Sequence, residues 1–351
     1  MWVRRYIIAF SVSIIFSAVL TPLARMLALR LNIVDHPDDR KNHRAPMPVL
    51  GGVAIYIALV AGVFFTFYYS HAAKVILFGG LICLLLGIID DKKNVPATLK
   101  VMILLTLAVV LSRYGVLIHF FNAYTPDLFV TLFWILLVTS AINAIDNMDG
   151  LACGISAISA FLFVAAALMT KQYIFGVVSA ALCGSALGFL PYNFKPAKIF
   201  MGNGGSFFLG FTLASISIMA DWSDYPLISF MIPTLVLAVP IFDISFVVLW
   251  RFKKRITRTI KDAILYSARD HLSHRLVKLG LTERRAVIML YLLSAGVGIS
   301  AIIALPLDSI FEVTFLLLQA LIILLALAVV INVGTEDLKK DNEDHFIAKS
   351  G

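Results

Sequence analysis

Long, continuous runs of apolar residues, separated by short polar segments, dominate the pattern of the chain. Such runs predict membrane-spanning helices, because about 20 apolar residues cross a bilayer and a helix satisfies its own backbone hydrogen bonds there. The alternating apolar and polar decamers that are typical of an outer-membrane barrel do not occur in the sequence. The runs predict eleven spans, at residues 3–30, 50–70, 74–90, 98–113, 127–145, 152–170, 173–191, 205–220, 227–250, 286–305 and 310–332.

These spans predict an all-α polytopic integral membrane protein with about 10–11 transmembrane helices. Residues 1–333 are expected to form a single helical domain, and the polar segment 334–351 is expected to be a disordered cytoplasmic tail. The composition agrees, since 60% of the 351 residues are hydrophobic and only 14% are charged. That composition excludes both an ordinary soluble protein and a disordered one.

The basic residues predict the orientation of the chain in the membrane. Of the 29 Lys and Arg residues, 24 fall on one side of the predicted membrane and 5 on the other. Because cytoplasmic loops carry the excess of basic residues, the N-terminus is expected outside and the C-terminus in the cytoplasm. The cytoplasmic loops are then residues 31–49, 91–97, 192–204 and 251–285. This topology explains the net charge of +8, so no nucleic-acid partner is predicted.

Polar side chains collect at the cytoplasmic ends of the predicted spans. Each is a functional candidate, because polar and charged groups are costly to keep in a bilayer. The members of this set are Asp90, Asp91, Asn143, Asp146, Asp149, Asn193, Asp243, the glycine-rich stretch 202–206, and His271, His274 and Arg275 in the last cytoplasmic loop. The topology was assigned from Lys and Arg alone, so this shared location of acids, amides and histidines supports it in part independently.

The acidic pairs each allow a structural and a functional interpretation. Asp90 and Asp91 are either a solvated pair at a helix end or ligands of Mg²⁺, which prefers one or two carboxylates together with water and phosphate. Asp146 and Asp149 lie three residues apart and share a helix face. They are either partners of a helix dipole or part of the same metal–phosphate site. The supply of acids from two spans on one side favours the site.

The glycine-rich and histidine-containing segments also allow two interpretations. The stretch 202–206 either lets helices pack closely or turns backbone N–H groups towards a phosphate. His271 and His274 are either solvated or, with Arg275, placed to stabilise the negative charge of a departing diphosphate. A zinc site is not predicted, because further Cys or His ligands are lacking nearby.

Five motifs, in order along almost the whole chain, resemble those of the polyprenyl-phosphate N-acetylhexosamine-1-phosphate transferase superfamily. The first loop has the family form DxPxxRKxHxxPxPxxGG from Asp35 to Gly52. The family elements IDD, NAxNxxDGxDG, N-x-x-PAxxFMGDxGS and HxHHR resemble residues 89–91, 140–150, 193–206 and 271–275. None of these motifs is specific alone, but five in the same order are.

Four positions depart from the family pattern. Ser140 and Asn147 stand at the first Asn and the first Gly of the third motif, and Ser273 stands at the middle His of the fifth. Asn203 stands where the family has a metal-binding Asp. An amide oxygen lacks the charge that makes carboxylate the preferred Mg²⁺ ligand. Three explanations stay open, namely natural use of Asn in a subgroup, an introduced substitution, and weakened catalysis.

The resemblance implies an enzyme that transfers a sugar 1-phosphate from a UDP-sugar to undecaprenyl or another polyprenyl phosphate and releases UMP. This reaction would be the first step of a lipid-linked cell-envelope glycan. The resemblance also implies Mg²⁺ dependence with Mn²⁺ as a substitute, a multi-pass location in the cytoplasmic (inner) membrane, an active site that faces the cytoplasm, and a homodimer as one oligomeric state. The altered third and fifth motifs resemble the WecA/TagO branch, which favours UDP-N-acetylglucosamine.

Site residues follow from the same resemblance. Asp90 and Asp91 would hold the metal or place the lipid phosphate, and Asn203 would occupy the remaining metal-ligand position. The implied catalytic set is Asp90, Asp91, His271, His274 and Arg275. The implied substrate-binding set is Lys41, His43, Lys100, Asn143, Asp146, Asp149, Asn193 and Phe200, the last by stacking on the uracil ring.

Other functions remain as alternatives. Within the enzyme class, the alternative is an MraY-like phospho-MurNAc-pentapeptide transferase. Outside it, the alternatives are a membrane transporter and a catalytically silent scaffold. A transporter is disfavoured, because the polar groups crowd one face and form no ladder across the bilayer.

Overall fold

A computed structural model describes residues 1–35, 46–66, 70–257, 259 and 270–350, with residues 335–350 described by their backbone alone. These residues form thirteen helices and one pair of two-residue strands. The helices are α1 (Trp2–Arg30), α2 (Gly51–Phe64), α3 (His71–Lys93), α4 (Ala97–Arg113), α5 (Tyr124–Ile145), α6 (Leu151–Met169), α7 (Tyr173–Asn193), α8 (Gly202–Met219), α9 (Pro226–Val236), α10 (Ala238–Lys253), α11 (Leu272–Lys278), α12 (Glu283–Ala304) and α13 (Ile310–Ser350). The strands β1 (Val34–Asp35) and β2 (Met47–Pro48) pair antiparallel.

The architecture confirms the predicted all-α polytopic membrane protein. Seven helices are long and apolar enough to cross a membrane, namely α1, α3, α5, α6, α7, α12 and α13 as far as Gly334. The bent pair α9–α10 makes an eighth when its two parts count as one span. The shorter or less apolar helices α2, α4 and α8 account for the difference from the predicted 10–11 spans. That number and the orientation of the termini stay predictions.

The predicted span 227–250 is two helices rather than one. Helix α9 ends at Val236, α10 begins at Ala238, and the two axes are bent by 80°. Pro240 has no N–H to donate to the carbonyl four residues earlier, which is that of Val236. The helical hydrogen-bond ladder therefore cannot run unbroken through Leu237, and the chain turns there.

Two other segments have different lengths in the structure from those that the sequence predicts. Helix α2 ends at Phe64, whereas the predicted span ran to residue 70. Helix α13 continues to Ser350, through the segment that is predicted to be a disordered tail. An existing helix extends without a new nucleation cost, which explains how a polar segment can follow an apolar helix in the same conformation.

Helix α8 lies at the centre of the bundle, because nearly all of its residues are buried. Glycines let its neighbours approach its backbone. A Cβ at Gly87 of α3 would lie 2.3 Å from the backbone nitrogen of Gly204, and a Cβ at Gly52 of α2 would lie 2.5 Å from Cα of Gly205. The first turn of α8 is therefore held against the start of α2 and the last turns of α3, which is where the candidate site lies.

Candidate active site

Asp90 joins three helices at the end of α3. Its carboxylate accepts hydrogen bonds from Nζ of Lys100 at 2.6 Å, from the backbone N–H of Val95 at 2.8 Å and from Nδ2 of Asn203 at 3.0 Å. The residue is 5% exposed, so these partners compensate for the burial of its charge. The structure thus brings together three of the predicted site residues, one each from α3, α4 and α8.

The neighbouring Asp91 is exposed, and its carboxylate accepts hydrogen bonds from the N-terminus of α8. Its Oδ1 accepts a hydrogen bond from the backbone N–H of Asn203 at 3.1 Å, and the N–H of Gly204 donates to the same carboxylate. These N–H groups have no partner within the helix, and the positive end of the helix dipole favours a carboxylate there. Gly202, with φ of +71°, leaves the space that Asp91 occupies, since a Cβ there would lie 2.5 Å from Asp91 Oδ2.

The turn between α5 and α6 brings its polar groups to the same place. Oδ1 of Asn143 accepts a hydrogen bond from Oγ of Ser206 at 2.7 Å, which ties the end of α5 to the first turns of α8. Asp146 is half-buried, and no hydrogen-bond donor pairs with its side chain among the described residues. Burial, together with the smaller effect of the charges of Asp91 and Asp149, raises the pKa of Asp146 to about 8. Acids that repel one another in this way favour a cation between them.

Asp149 is bound to the loop that follows α7. Its Oδ2 accepts a hydrogen bond from the backbone N–H of Ala197 at 3.1 Å and lies 3.6 Å from Nζ of Lys195. Lys195 also forms an ion pair of 2.6 Å with Glu283 at the start of α12. Burial alone would lower the pKa of Lys195, but Glu283 and Asp149 raise it above its usual range, so the amine stays charged. Asp149 therefore orders this loop. We call Asp90, Asp91, Asp146 and Asp149 the acid cluster.

The loop from Asn193 to Phe200 packs against the segment that precedes α2. Asn193 is 2% exposed, and its Nδ2 donates to the carbonyl of Ile199 at 3.1 Å. The backbone N–H of Phe200 donates to the carbonyl of Pro48 at 2.8 Å, and its carbonyl accepts from Gly51 at 3.0 Å. Both residues thus fix the path of the chain into α8, and the side chain of Phe200 is half-buried.

His271 is oriented by a carboxylate that lies within an apolar helix. Its Nδ1 lies 2.6 Å from Oδ2 of Asp243 in α10, and Oδ1 of the same carboxylate accepts the N–H of Leu272 at 2.7 Å. An ionised carboxylate only accepts hydrogen bonds, so this contact places a proton on Nδ1 and leaves Nε2 for a ligand. Asp243 was among the polar candidates at the span ends, but not among the site residues that the resemblance implies. The signal for it was present, because a charged residue within an apolar span is a functional candidate by default.

Arg275 lies in a different environment from the predicted one. The guanidinium is 4.2 Å from the ring centroid of Trp250 and 5.1 Å from that of Phe246. Its Nε donates to the carbonyl of Asp270, and Nη1 donates to Asn332. Within the described residues it makes no hydrogen bond or ion pair with the acid cluster, so the structure does not bring it to the diphosphate site that the sequence predicts. Its contacts join α10, α11 and α13 instead.

The remaining predicted residues fall into two groups. His274 is half-buried on α11, close to His271 in the chain. Lys41 and His43 lie outside the described residues. The structure thus gathers Lys100, Asn143 and Asn203 around the acid cluster and places His271 at the N-cap of α11, where Asp243 orients it.

Comparison with known proteins gives consistent similarities. Residues 73–221 match the family model Glycosyl transferase family 4. The probable undecaprenyl-phosphate N-acetylglucosaminyl 1-phosphate transferase of Bacillus subtilis (strain 168) is 36% identical over 309 residues, which cover 85% of each chain. The decaprenyl-phosphate N-acetylglucosaminephosphotransferase of Mycobacterium leprae (strain TN) is 32% identical over 78% of this chain and 77% of that protein. The undecaprenyl-phosphate alpha-N-acetylglucosaminyl 1-phosphate transferase of Escherichia coli (strain K12) is 26% identical over 82% of this chain and 81% of that protein.

Proposed function

Because the chain belongs to the polyprenyl-phosphate N-acetylhexosamine-1-phosphate transferase family, we propose that it transfers N-acetylglucosamine 1-phosphate from UDP-N-acetylglucosamine to a polyprenyl phosphate such as undecaprenyl phosphate. An oxygen of the lipid phosphate attacks the phosphorus attached to the sugar. The bond from that phosphorus to the bridging oxygen breaks, and UMP leaves with the electron pair. The observation that carries this proposal is the 36% identity to the Bacillus subtilis protein over 85% of both chains. The relatives reported above carry N-acetylglucosamine in their names, which favours this sugar over a muramic acid pentapeptide.

The location of the acid cluster suits a reaction between a lipid and a water-soluble nucleotide. Asp90 and Asp91 lie at the end of α3, Asp146 and Asp149 follow the end of α5, and Lys100 lies in the first turn of α4, where a bilayer would meet water. Both reactants carry phosphate, so the site must neutralise negative charge and align the two groups. We propose that Lys100, held by Asp90 at 2.6 Å, receives the lipid phosphate. The N–H groups at the start of α8 and Nε2 of His271 would face the nucleotide diphosphate.

We propose that Mg²⁺ binds at this site, with water and substrate phosphate completing its shell. Among the described residues, no group of three or more His, Cys, Asp and Glu side chains is placed to hold a metal ion. Mg²⁺ commonly binds through one or two carboxylates and completes its shell with water and substrate phosphates. Asp91, Asp146 and Oδ1 of Asn203 would hold it, because Asp90 is engaged by three donors. The ion would supply charge neutralisation for the two phosphates.

A cytoplasmic location of the site is part of the proposal. The excess of basic residues in the loops beside the acid cluster supports it through the positive-inside rule. UDP-sugars are water-soluble, so the nucleotide would reach the site from the cytoplasm while the lipid phosphate arrives along the membrane.

The test is release of UMP by purified protein with Mg²⁺, undecaprenyl phosphate and UDP-N-acetylglucosamine. We expect release that needs both the lipid and the metal, and a fall of at least about 100-fold in Asp91→Asn, because a charged group of the site is removed. Asp224→Asn is the matched control, since Asp224 is exposed in the loop after α8, at the far end of that helix. Full activity in Asp91→Asn would exclude the assigned site. No UMP release from folded, unchanged protein would exclude the transferase and favour the transporter or scaffold.

A further inference from the structure

Two of the four residues that depart from the family pattern are in contact with each other. Oγ of Ser273 lies 2.7 Å from Oδ1 of Asn147, although the two residues are 126 positions apart. Asn147 stands where the family has Gly, and Ser273 stands where it has the middle His. The contact places both departures at one packing interface, which is the arrangement expected if the two positions change together.

The direction of the hydrogen bond follows from a second contact. Nδ2 of Asn147 donates to the carbonyl of Ala144 at 2.9 Å, which fixes the amide and leaves Oδ1 as the acceptor. The hydroxyl of Ser273 therefore donates. Ser273 is 2% exposed, so removal of either partner would leave a buried polar group without its bond.

The contact joins two segments of the candidate active site. Asn147 lies between Asp146 and Asp149 in the turn from α5 to α6, and Ser273 lies between His271 and His274 on α11. Asp243 fixes the start of α11 to α10. The Ser273–Asn147 bond fixes the same short helix to the acidic turn, so it sets the distance from the histidines to the acid cluster.

The sizes of the side chains explain why a joint change preserves this distance. With the family residues at these positions, Gly would leave space that the larger His could fill. In this chain the larger Asn fills the space from one side, and the smaller Ser leaves room from the other. Volume-conserving exchanges are tolerated best at buried positions, whereas a change on one side alone leaves a cavity or an overlap.

We propose that Asn147 and Ser273 form a positioning pair, which holds the histidine-bearing helix α11 at its working distance from the acidic turn. The proposal rests on the proposed transferase function. The pair touches neither phosphate, and it acts through His271 and Asp146. It therefore affects the rate of transfer more than the affinity for the nucleotide, because small misplacements of reacting groups reduce rates strongly.

The first experiment is a double-mutant cycle on UMP release. Asn147→Ala and Ser273→Ala are each expected to lower kcat by about 10- to 100-fold, with KM for UDP-N-acetylglucosamine within about twofold. The double variant is expected to be no worse than the poorer single variant, because one bond is lost in all three. Ser215→Ala is the matched control, since Ser215 is also fully buried but bonds within its own helix, to the carbonyl of Phe211 at 2.7 Å. Its kcat is expected to stay at the unchanged value.

The second experiment restores the family pattern. Ser273→His alone is expected to be almost inactive, because the buried position has no room beside Asn147. Adding Asn147→Gly to it is expected to raise kcat at least about tenfold, with kcat calculated per amount of folded protein so that a change in stability alone does not count as rescue. The positioning pair is overturned if both alanine variants keep the unchanged kcat, or if the two losses multiply in the double variant. In either case, UMP release by the unchanged chain still supports the transferase. Absence of UMP release from the unchanged chain overturns the transferase, and the pair with it.

Discussion

The side-chain amide of Asn203 forms a direct hydrogen bond to Asp90 within the acidic site. Its Nδ2 donates to Asp90, which also receives Lys100 and the N–H of Val95. A carboxylate at position 203 could not donate and would repel Asp90 at a separation of 3.0 Å. The chain therefore needs no cation to hold the first turn of α8 against the end of α3.

The matching prediction concerns Asn203→Asp, which introduces the acid of the family pattern. In the presence of a chelator, we expect this variant to unfold a few °C below the unchanged protein, because two carboxylates then face each other. Added Mg²⁺ should remove most of that difference, since a cation between the two carboxylates relieves the repulsion. The measurement is the thermal unfolding midpoint in detergent, with and without Mg²⁺.

Asn122→Asp is the control for this charge change. Asn122 is exposed in the loop between α4 and α5, at the opposite ends of these helices from Lys100 and Asp146. Its midpoint should not respond to Mg²⁺. If Asn203→Asp is as stable as the unchanged protein in chelator and gains no more from Mg²⁺, the Asn203–Asp90 contact is refuted.

The sequence could predict individual site residues only where the residue type and its spacing along the chain indicated a site. Acids at span ends and the glycine-rich stretch placed Asp90, Asp91 and Asn203 in one predicted site, and the structure brings them together. The orientation of His271 by Asp243 depends on the fold of α10 against α11, which no local pattern encodes. The aromatic surroundings of Arg275 are equally non-local, so its sequence motif suggested a site contact that the structure does not show.

At the scale of elements, the close approach of α3 to α8 positions the candidate site. Gly87 faces the backbone of Asn203 and Gly204, and a Cβ there would lie 2.3 Å from the nitrogen of Gly204. Backbone atoms cannot move aside as a side chain end can. The absence of a side chain at position 87 thus lets Asp90 and Asp91, in the next turn of α3, reach the first turn of α8.

Gly87→Ala is expected to separate the two helices. We predict a loss of most UMP release and a lower unfolding midpoint, because the methyl group overlaps the backbone of α8. Gly296→Ala in α12 is the matched control, since nothing lies within 4 Å of the Cβ it would add. That variant should be neutral or slightly more stable, as Ala favours a helix over Gly. Equal behaviour of the two variants would show that the tight approach is not needed.

Element boundaries were less predictable than the presence of elements. Apolar runs identify helices well when the run ends at a polar turn, as at Pro306–Asp308 between α12 and α13. The run 227–250 is apolar throughout, so hydropathy alone joins α9 and α10 into one span. Pro233 and Pro240 were the available signal for the break. The strands β1 and β2 are two residues long and depend on pairing across a loop, which the sequence pattern does not reveal.

At the scale of the whole molecule, the packing of the helices and the distribution of charge give separate information about the topology. The structure places the acid cluster and Lys100 at one end of the bundle, and the turn between α12 and α13 belongs to the opposite end in the predicted topology. The distribution of Lys and Arg predicts that the end with the acid cluster is cytoplasmic. Since a soluble nucleotide is the proposed donor, the same orientation is required for function.

This orientation is testable with single introduced cysteines. The native residues Cys83, Cys153 and Cys183 are all buried, so they should react little with a membrane-impermeant maleimide. Asp308→Cys, at the turn before α13, should be labelled in intact cells, because that turn is predicted to lie outside. Lys93→Cys, beside Asp90 and Asp91 at the exposed end of α3, should be labelled only after the membrane is permeabilised. The reverse pattern would place the acid cluster outside, where no UDP-sugar could reach it, and would contradict the positive-inside assignment and the proposed reaction together.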